Sequence, residues 1–178
     1  MNFILQKKNQ VLFSDESSSQ LLKKWIHSEI ELDALNRPKV IVCIGSDRST
    51  GDSLGPLVGR ALAFKNQNNV FGTLERPVHA LNVFETLDYI SRNFVNPYII
   101  AIDACLGQLS NVGMIQAMRG PVLPGAGVNK QLPPIGDFHI NGVVNVSGHR
   151  EYSVLQSTRL YLVSRMADVI ADSLLDLL

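Results

Sequence analysis

Cysteine is nearly absent from this chain of 178 residues, which has only Cys43 and Cys105. Neither stands at metal-ligand spacing, and two fall far short of a secreted disulfide scaffold, so the expected compartment is intracellular and reducing. An excess of either charge is also missing. Lysine plus arginine and aspartate plus glutamate number 16 each, so the overall field favours neither nucleic acid nor an anionic membrane as a partner. No run approaches the roughly 18 apolar residues of a membrane span. The start M-N-F-I-L-Q-K-K has too short an apolar segment for a signal peptide. A soluble, cytoplasmic protein is the expectation. There is no G-x-G-x-x-G, the P-loop pattern lacks its lysine, and no internal repeat occurs.

What is present centres on P-K-V-I-V-C-I-G-S-D-R-S-T-G-D-S-L-G-P-L-V-G-R, from Pro38 to Arg60. Lys39 to Ile44 is a short β-branched run ending at Gly45 and reads as a buried strand. A loop without apolar residues follows from Ser46 to Gly51. Leu54, Leu57, Val58, Ala61 and Leu62 then recur at helical spacing to about Phe64. In an open parallel sheet, ligands collect where such loops leave the carboxyl ends of strands. A phosphate or flavin cradle fits the 45–53 loop poorly, because Asp52 would repel an anion at the helix start. The plain structural reading of Asp52 is a helix N-cap worth about 1 kcal/mol.

Along the rest of the chain, residues 1–16 suit either an edge hairpin or a mobile arm. Ser17 to Leu35 has a helical face, with Ser18 or Ser19 as its cap. Val78 to Leu81 reads as a short strand. Asn82 and Glu85 form an asparagine version of the capping box, opening a helix through Phe84, Leu87 and Ile90. Tyr98 to Ile102 is a second continuous apolar strand, with Asp103 at its exit. Val112 to Met118 and His139 to Val146 are further strands. They flank a proline- and glycine-rich loop from Gly120 to Gly136, and loops of that length in compact domains are usually functional. A final helix runs from about Ser153 to Leu178. Strands alternating with helices point to one three-layer α/β/α domain over residues 1–178 with a mostly parallel central sheet. A sheet edge or the final helix is available for a homo-oligomer, though the pattern requires none.

If strands 39–44 and 98–102 are parallel neighbours, Asp52 and Asp103 share one end of the sheet. Two close carboxyls do not both ionise readily, so one keeps a proton while the other can act as a base. The same pair could instead hold a divalent metal through oxygen. A cysteine nucleophile, Cys105 with His139 or His149, is a lesser alternative. His79 reads as a structural residue beside its strand.

The stretches V-I-V-C-I-G-S-D-R-S-T-G-D-S-L-G-P, Y-I-I-A-I-D-A-C-L-G and P-G-A-G-V-N-K resemble the YyaC-type sporulation proteins over nearly the whole chain. More distantly, the chain is similar to the germination protease and the hydrogenase maturation endopeptidases. The resemblance implies a phosphorylase/hydrolase-like fold and peptide-bond hydrolysis in a spore-forming bacterium, with Asp52 and Asp103 as the catalytic aspartates of an atypical aspartic enzyme. In the maturation endopeptidases the matching acidic positions bind a metal with a loop histidine. Here Leu123 precedes P-G-A-G where that histidine is sought, and His139 comes too late. No metal and no cofactor are therefore expected. Asp47, Arg48, Asn129 and Lys130 are candidate contacts to a protein or peptide substrate. A non-catalytic protein that binds a peptide in the same cleft is the rival reading.

Overall fold

The computed structural model describes residues 9–34, 36–64, 69–124 and 132–177. Its framework is one six-stranded sheet with helices on both faces. In chain order the elements are β1 (Asn9–Leu12), α1 (Ser18–Asp33), β2 (Lys39–Cys43), α2 (Leu54–Ala63), β3 (Val70–Phe71) and α3 (Val83–Asn93). After them come β4 (Tyr98–Gly107), β5 (Met114–Arg119), β6 (Phe138–Val146), α4 (Glu151–Gln156) and α5 (Leu160–Leu174). The strand order is β1-β5-β6-β4-β2-β3. Pairings β2 with β3, β2 with β4 and β4 with β6 are parallel, whereas β5 runs antiparallel to both β1 and β6.

Alternation along the central strands builds two cores, because successive side chains point to opposite faces. Ile41, Cys43, Ile100, Ile102, Phe138 and Ile140 pack with α1, α2 and α5 through residues such as Leu22, Leu54, Leu62 and Met166. Val40, Val42, Ile44 and Ala101 face the other way, toward Val83 and Ile90 of α3 and toward Val122 and Ile135. Full burial of each large aliphatic side chain contributes about 1.5–3 kcal/mol. Among the described residues no helix is long and apolar enough to cross a membrane.

Several boundaries differ from the sequence-based expectation. Of the N-terminal stretch, Asn9–Leu12 adds to β5, from Asn9 opposite Ala117 to Leu12 opposite Met114, and residues 1–8 lie outside the described residues. Ser17 precedes α1, and Ser18, the expected cap, donates its Oγ–H to the Leu12 carbonyl instead. The expected strand at 78–81 shrinks to a single bridge between Ile44 and Val78. Parallel pairing with β2 passes to β3, a two-residue strand. The long C-terminal helix is broken into α4 and α5 at Ser157 and Thr158, where the Thr158 hydroxyl donates to Val154 O at 2.9 Å. Strand β4 continues five residues beyond Ile102, to Gly107, sustained by pairing with β6.

Candidate active site

Strands β2 and β4 are parallel neighbours, with Cys43 opposite Ile102. The loop after β2 and the last residues of β4 therefore meet at one end of the sheet. Gly45 makes this geometry accessible, since its φ of +141° is closed to most residues and an added Cβ would collide with the Asp52 carbonyl oxygen. Its neighbour Ser46 donates its N–H to that same carbonyl at 3.1 Å. The loop is thus folded back onto a 3₁₀ turn, Gly51–Ser53, that carries Asp52.

Asp52 is not the N-cap of α2. Ser53 occupies that position, with its own hydroxyl donated to Thr50 O at 2.7 Å. Freed from capping, Asp52 lines a cleft of about 410 Å³ at the carboxyl end of the sheet, on the α3 face. That volume lies within the range of about 300–1,000 Å³ usual for ligand sites. Asp103 lines the same cleft. It shares its strand face with Ile99 and Ala101, and because β4 extends past it, it sits within the strand rather than at its exit. Leu106, Leu123 and Leu132 add apolar surface, while Glu151, Tyr152 and Leu155 form a wall from α4.

The environment separates the two carboxyls. Burial raises Asp103 first, the negative charge of Asp52 raises it further, and an Ala104 N–H bond opposes them only in part, leaving its pKa at about 8. That N–H reaches Asp103 Oδ1 at 2.9 Å. Asp52 is also raised by burial, but the Ser46 N–H and the His79 imidazole both pull it back down. Of the two, Asp103 is therefore the carboxyl that favours keeping a proton near neutrality. Among the described residues neither aspartate is in a salt bridge.

His79 is the residue whose role sequence reasoning missed. It lines the cleft and acts electrostatically on Asp52. Its Nδ1 accepts the Leu81 N–H at 3.3 Å, so in the neutral ring the proton is on Nε2. Asn82 positions this segment in place of the expected capping box. Its Oδ1 accepts the His79 N–H at 2.8 Å and its Nδ2 donates to Pro77 O at 2.9 Å. A histidine three residues before a helix-opening asparagine was the available signal. Asn141, on β6, is a second cleft residue without a local motif.

Asp47 and Arg48 are exposed on the cleft rim. Asn129 and Lys130 lie outside the described residues. The cysteine alternative finds no support in the geometry. Cys105 is in the cleft, but burial and the Asp103 charge push its thiol up to about 11. His139 is buried and donates Nδ1–H to Gly120 O at 2.8 Å, which pins the start of the 120–136 loop. His149 is exposed ahead of α4, away from the cleft lining. Among the described residues no three His, Cys, Asp or Glu side chains are grouped to hold a metal ion.

A family model described as "Protein of unknown function (DUF1256)" matches residues 10–173. The "Uncharacterized protein YyaC" of Bacillus subtilis (strain 168) is 49% identical over 169 residues, covering 94% of this chain and 82% of that protein. This bears out the resemblance carried by the quoted motifs. Among solved structures, the [NiFe] hydrogenase maturation protease HycI from Thermococcus kodakarensis KOD1 is similar with a TM-score of 0.47 and 16% identity. That likeness covers 83% of this chain and 98% of the other.

Proposed function

The chain belongs to the family described as "Protein of unknown function (DUF1256)", and from that premise we propose that it is a peptidase whose paired aspartates hydrolyse a peptide bond. The observation that carries the reading is that Asp52 and Asp103 line one cleft at the carboxyl end of the sheet, where burial and the charge of Asp52 favour a proton on Asp103. Asp52 takes a proton from a water molecule as its oxygen attacks the scissile carbonyl carbon. Asp103 gives its proton to the carbonyl oxygen. When the C–N bond breaks, the departing amine takes the proton held by Asp52, and the hydroxyl proton of the intermediate returns to Asp103. Both groups end as they began.

Asp47 and Arg48, exposed on the cleft rim, are the proposed contacts to residues flanking the scissile bond, and Asn129 and Lys130 belong to the same proposal through the P-G-A-G-V-N-K motif. The aspartic class, the relation to germination protease and a substrate in the cytoplasm of a sporulating cell rest on the motif resemblance. The experiment is incubation with a pool of synthetic peptides of varied sequence, read by mass spectrometry. Wild-type protein is expected to produce discrete cleavage products, and Asp52→Asn and Asp103→Asn to lower the rate by about 10²–10⁴-fold, the usual contribution of a proton-transferring group. No cleavage by wild type, or equal cleavage by both variants, overturns the reading. Exposure of Leu81 and Leu123 at the cleft, at 76% and 72%, favours a second reading in which a peptide is bound without being cut.

A further inference from the structure

Asn141 Oδ1 is buried and has no hydrogen-bond partner among the described residues, although buried acceptors are almost always paired. The side chain faces the cleft, so a ligand donor is the first candidate partner. Burial of the oxygen itself argues otherwise, because an atom that water cannot touch is closed to an incoming peptide N–H. The missing donor must come from a neighbour already inside.

The sheet supplies one. Asn141 on β6 is the register partner of Asp103 on β4. In parallel strands such partners project from the same face, within side-chain reach. His139 and Asn141 stand opposite the core-packed Phe138 and Ile140, just as Asp103 stands opposite Ile102. Asp103 Oδ1 is already engaged by the Ala104 N–H, which leaves Oδ2 for a proton. A carboxylate facing a carbonyl oxygen repels it, whereas a carboxylic acid donates to it.

We propose that Asn141 is the positioning residue of this site, its Oδ1 accepting the Oδ2–H of neutral Asp103 and so holding the proton that the reaction delivers. Other groups around Asp103 are Asp52 from the 3₁₀ turn, His79 from the segment before α3, Cys105 on β4 and Glu151 on α4, with Asp47 and Arg48 at the rim. Asp52 and Asn141 then act in the same direction: one discourages the charge on Asp103 and the other accepts the proton that replaces it. The assignment of acid and base is fixed before any substrate arrives. It concerns the same cleft as the peptidase reading, but its test needs no substrate.

The test is carbon-detected NMR of the side-chain carbonyls in the free full-length protein, titrated from pH 5 to 10 as a chosen window. Asp103 Cγ is expected to move with a midpoint near 8, and Asn141 Cγ to move with the same midpoint as its bond is lost. In Asp103→Asn that movement of Asn141 should vanish, which ties it to Asp103 and to no other group in the cleft. In Asn141→Ala the Asp103 midpoint should fall by at least about one pH unit, a tenfold change in proton affinity. A flat Asn141 signal while Asp103 titrates overturns the proposal. So does an unchanged or higher Asp103 midpoint in Asn141→Ala, the result expected if the amide were reversed and its NH₂ donated to the carboxylate. Should Asn141→Ala fail to fold, the wild-type and Asp103→Asn titrations decide alone. A protein that cleaves no peptide but shows the shared midpoint would sink the peptidase reading and keep this one.

Discussion

The two ends of the central strands treat aspartate in opposite ways. At the amino end of β4, Asp137 is fully engaged. Its carboxylate pairs with Arg37 Nη2 at 3.1 Å and accepts the Ile99 N–H at 2.8 Å, and the same guanidinium lies 5.1 Å from the Tyr98 ring centroid. At the carboxyl end, Asp103 has one backbone N–H and, for company, the negative Asp52. One carboxylate is used up by the fold; the other is held in a state the fold does not need. The difference teaches that burial and the lack of a counter-charge together separate a chemically available acid from a structural one.

The contrast breaks most visibly in pH-dependent stability. A carboxyl whose pKa is raised on folding binds more protons in the native state than in the unfolded chain. Stability is therefore greatest below the unfolded value of about 4 and declines as pH rises toward the folded value. For Asp103 the decline spans roughly pH 4 to 8, with Asp52 contributing in the same direction. Asp103→Asn should flatten this slope and leave the variant more stable than wild type by a few kcal/mol at pH 9, as measured by urea denaturation across pH. A slope unchanged by the substitution would mean that Asp103 is ionised throughout.

At the opposite end the sign reverses. Asp137→Asn leaves Arg37 half-buried without its counter-charge and should lower stability by about 1–3 kcal/mol at neutral pH. Thermal unfolding would check it, and a stabilised variant would erase the contrast between the two ends. The smallest effect sharpens the cleft side. Asn82→Ala removes the two side-chain bonds that Asn82 makes to the His79 segment, with an expected cost of about 1–2 kcal/mol. Hydrogen exchange should then be faster at His79, whose N–H is one of the two donors, while β4 and β6 remain protected.

Much of this arrangement was legible in local sequence. The runs Lys39–Ile44 and Tyr98–Ile102 read as strands because they are short, continuous apolar runs rich in β-branched residues; β4 covers the second and β2 covers the first as far as Cys43. The helical stripe of α2 and its polar preceding loop were equally plain. What escaped were features set by a distant partner. β4 extends through Asp103 to Gly107 because β6 lies beside it, and neither Cys105 nor Gly107 has a local preference that announces it. Asn82 looked like a cap because capping is a local rule, yet its side chain serves the segment behind it.

By itself, then, the chain's pattern determined that Asp52 would follow one parallel-type strand, that Asp103 would end the apolar run of another, and that alternating residues would segregate into two faces, since these depend on side-chain period and turn chemistry. Only the tertiary structure decided that β6 stands next to β4, with Asn141 opposite Asp103, and that His79 swings in beside Asp52. Strand order and register arise from contacts between residues far apart in the chain, and local periodicity carries no term for them.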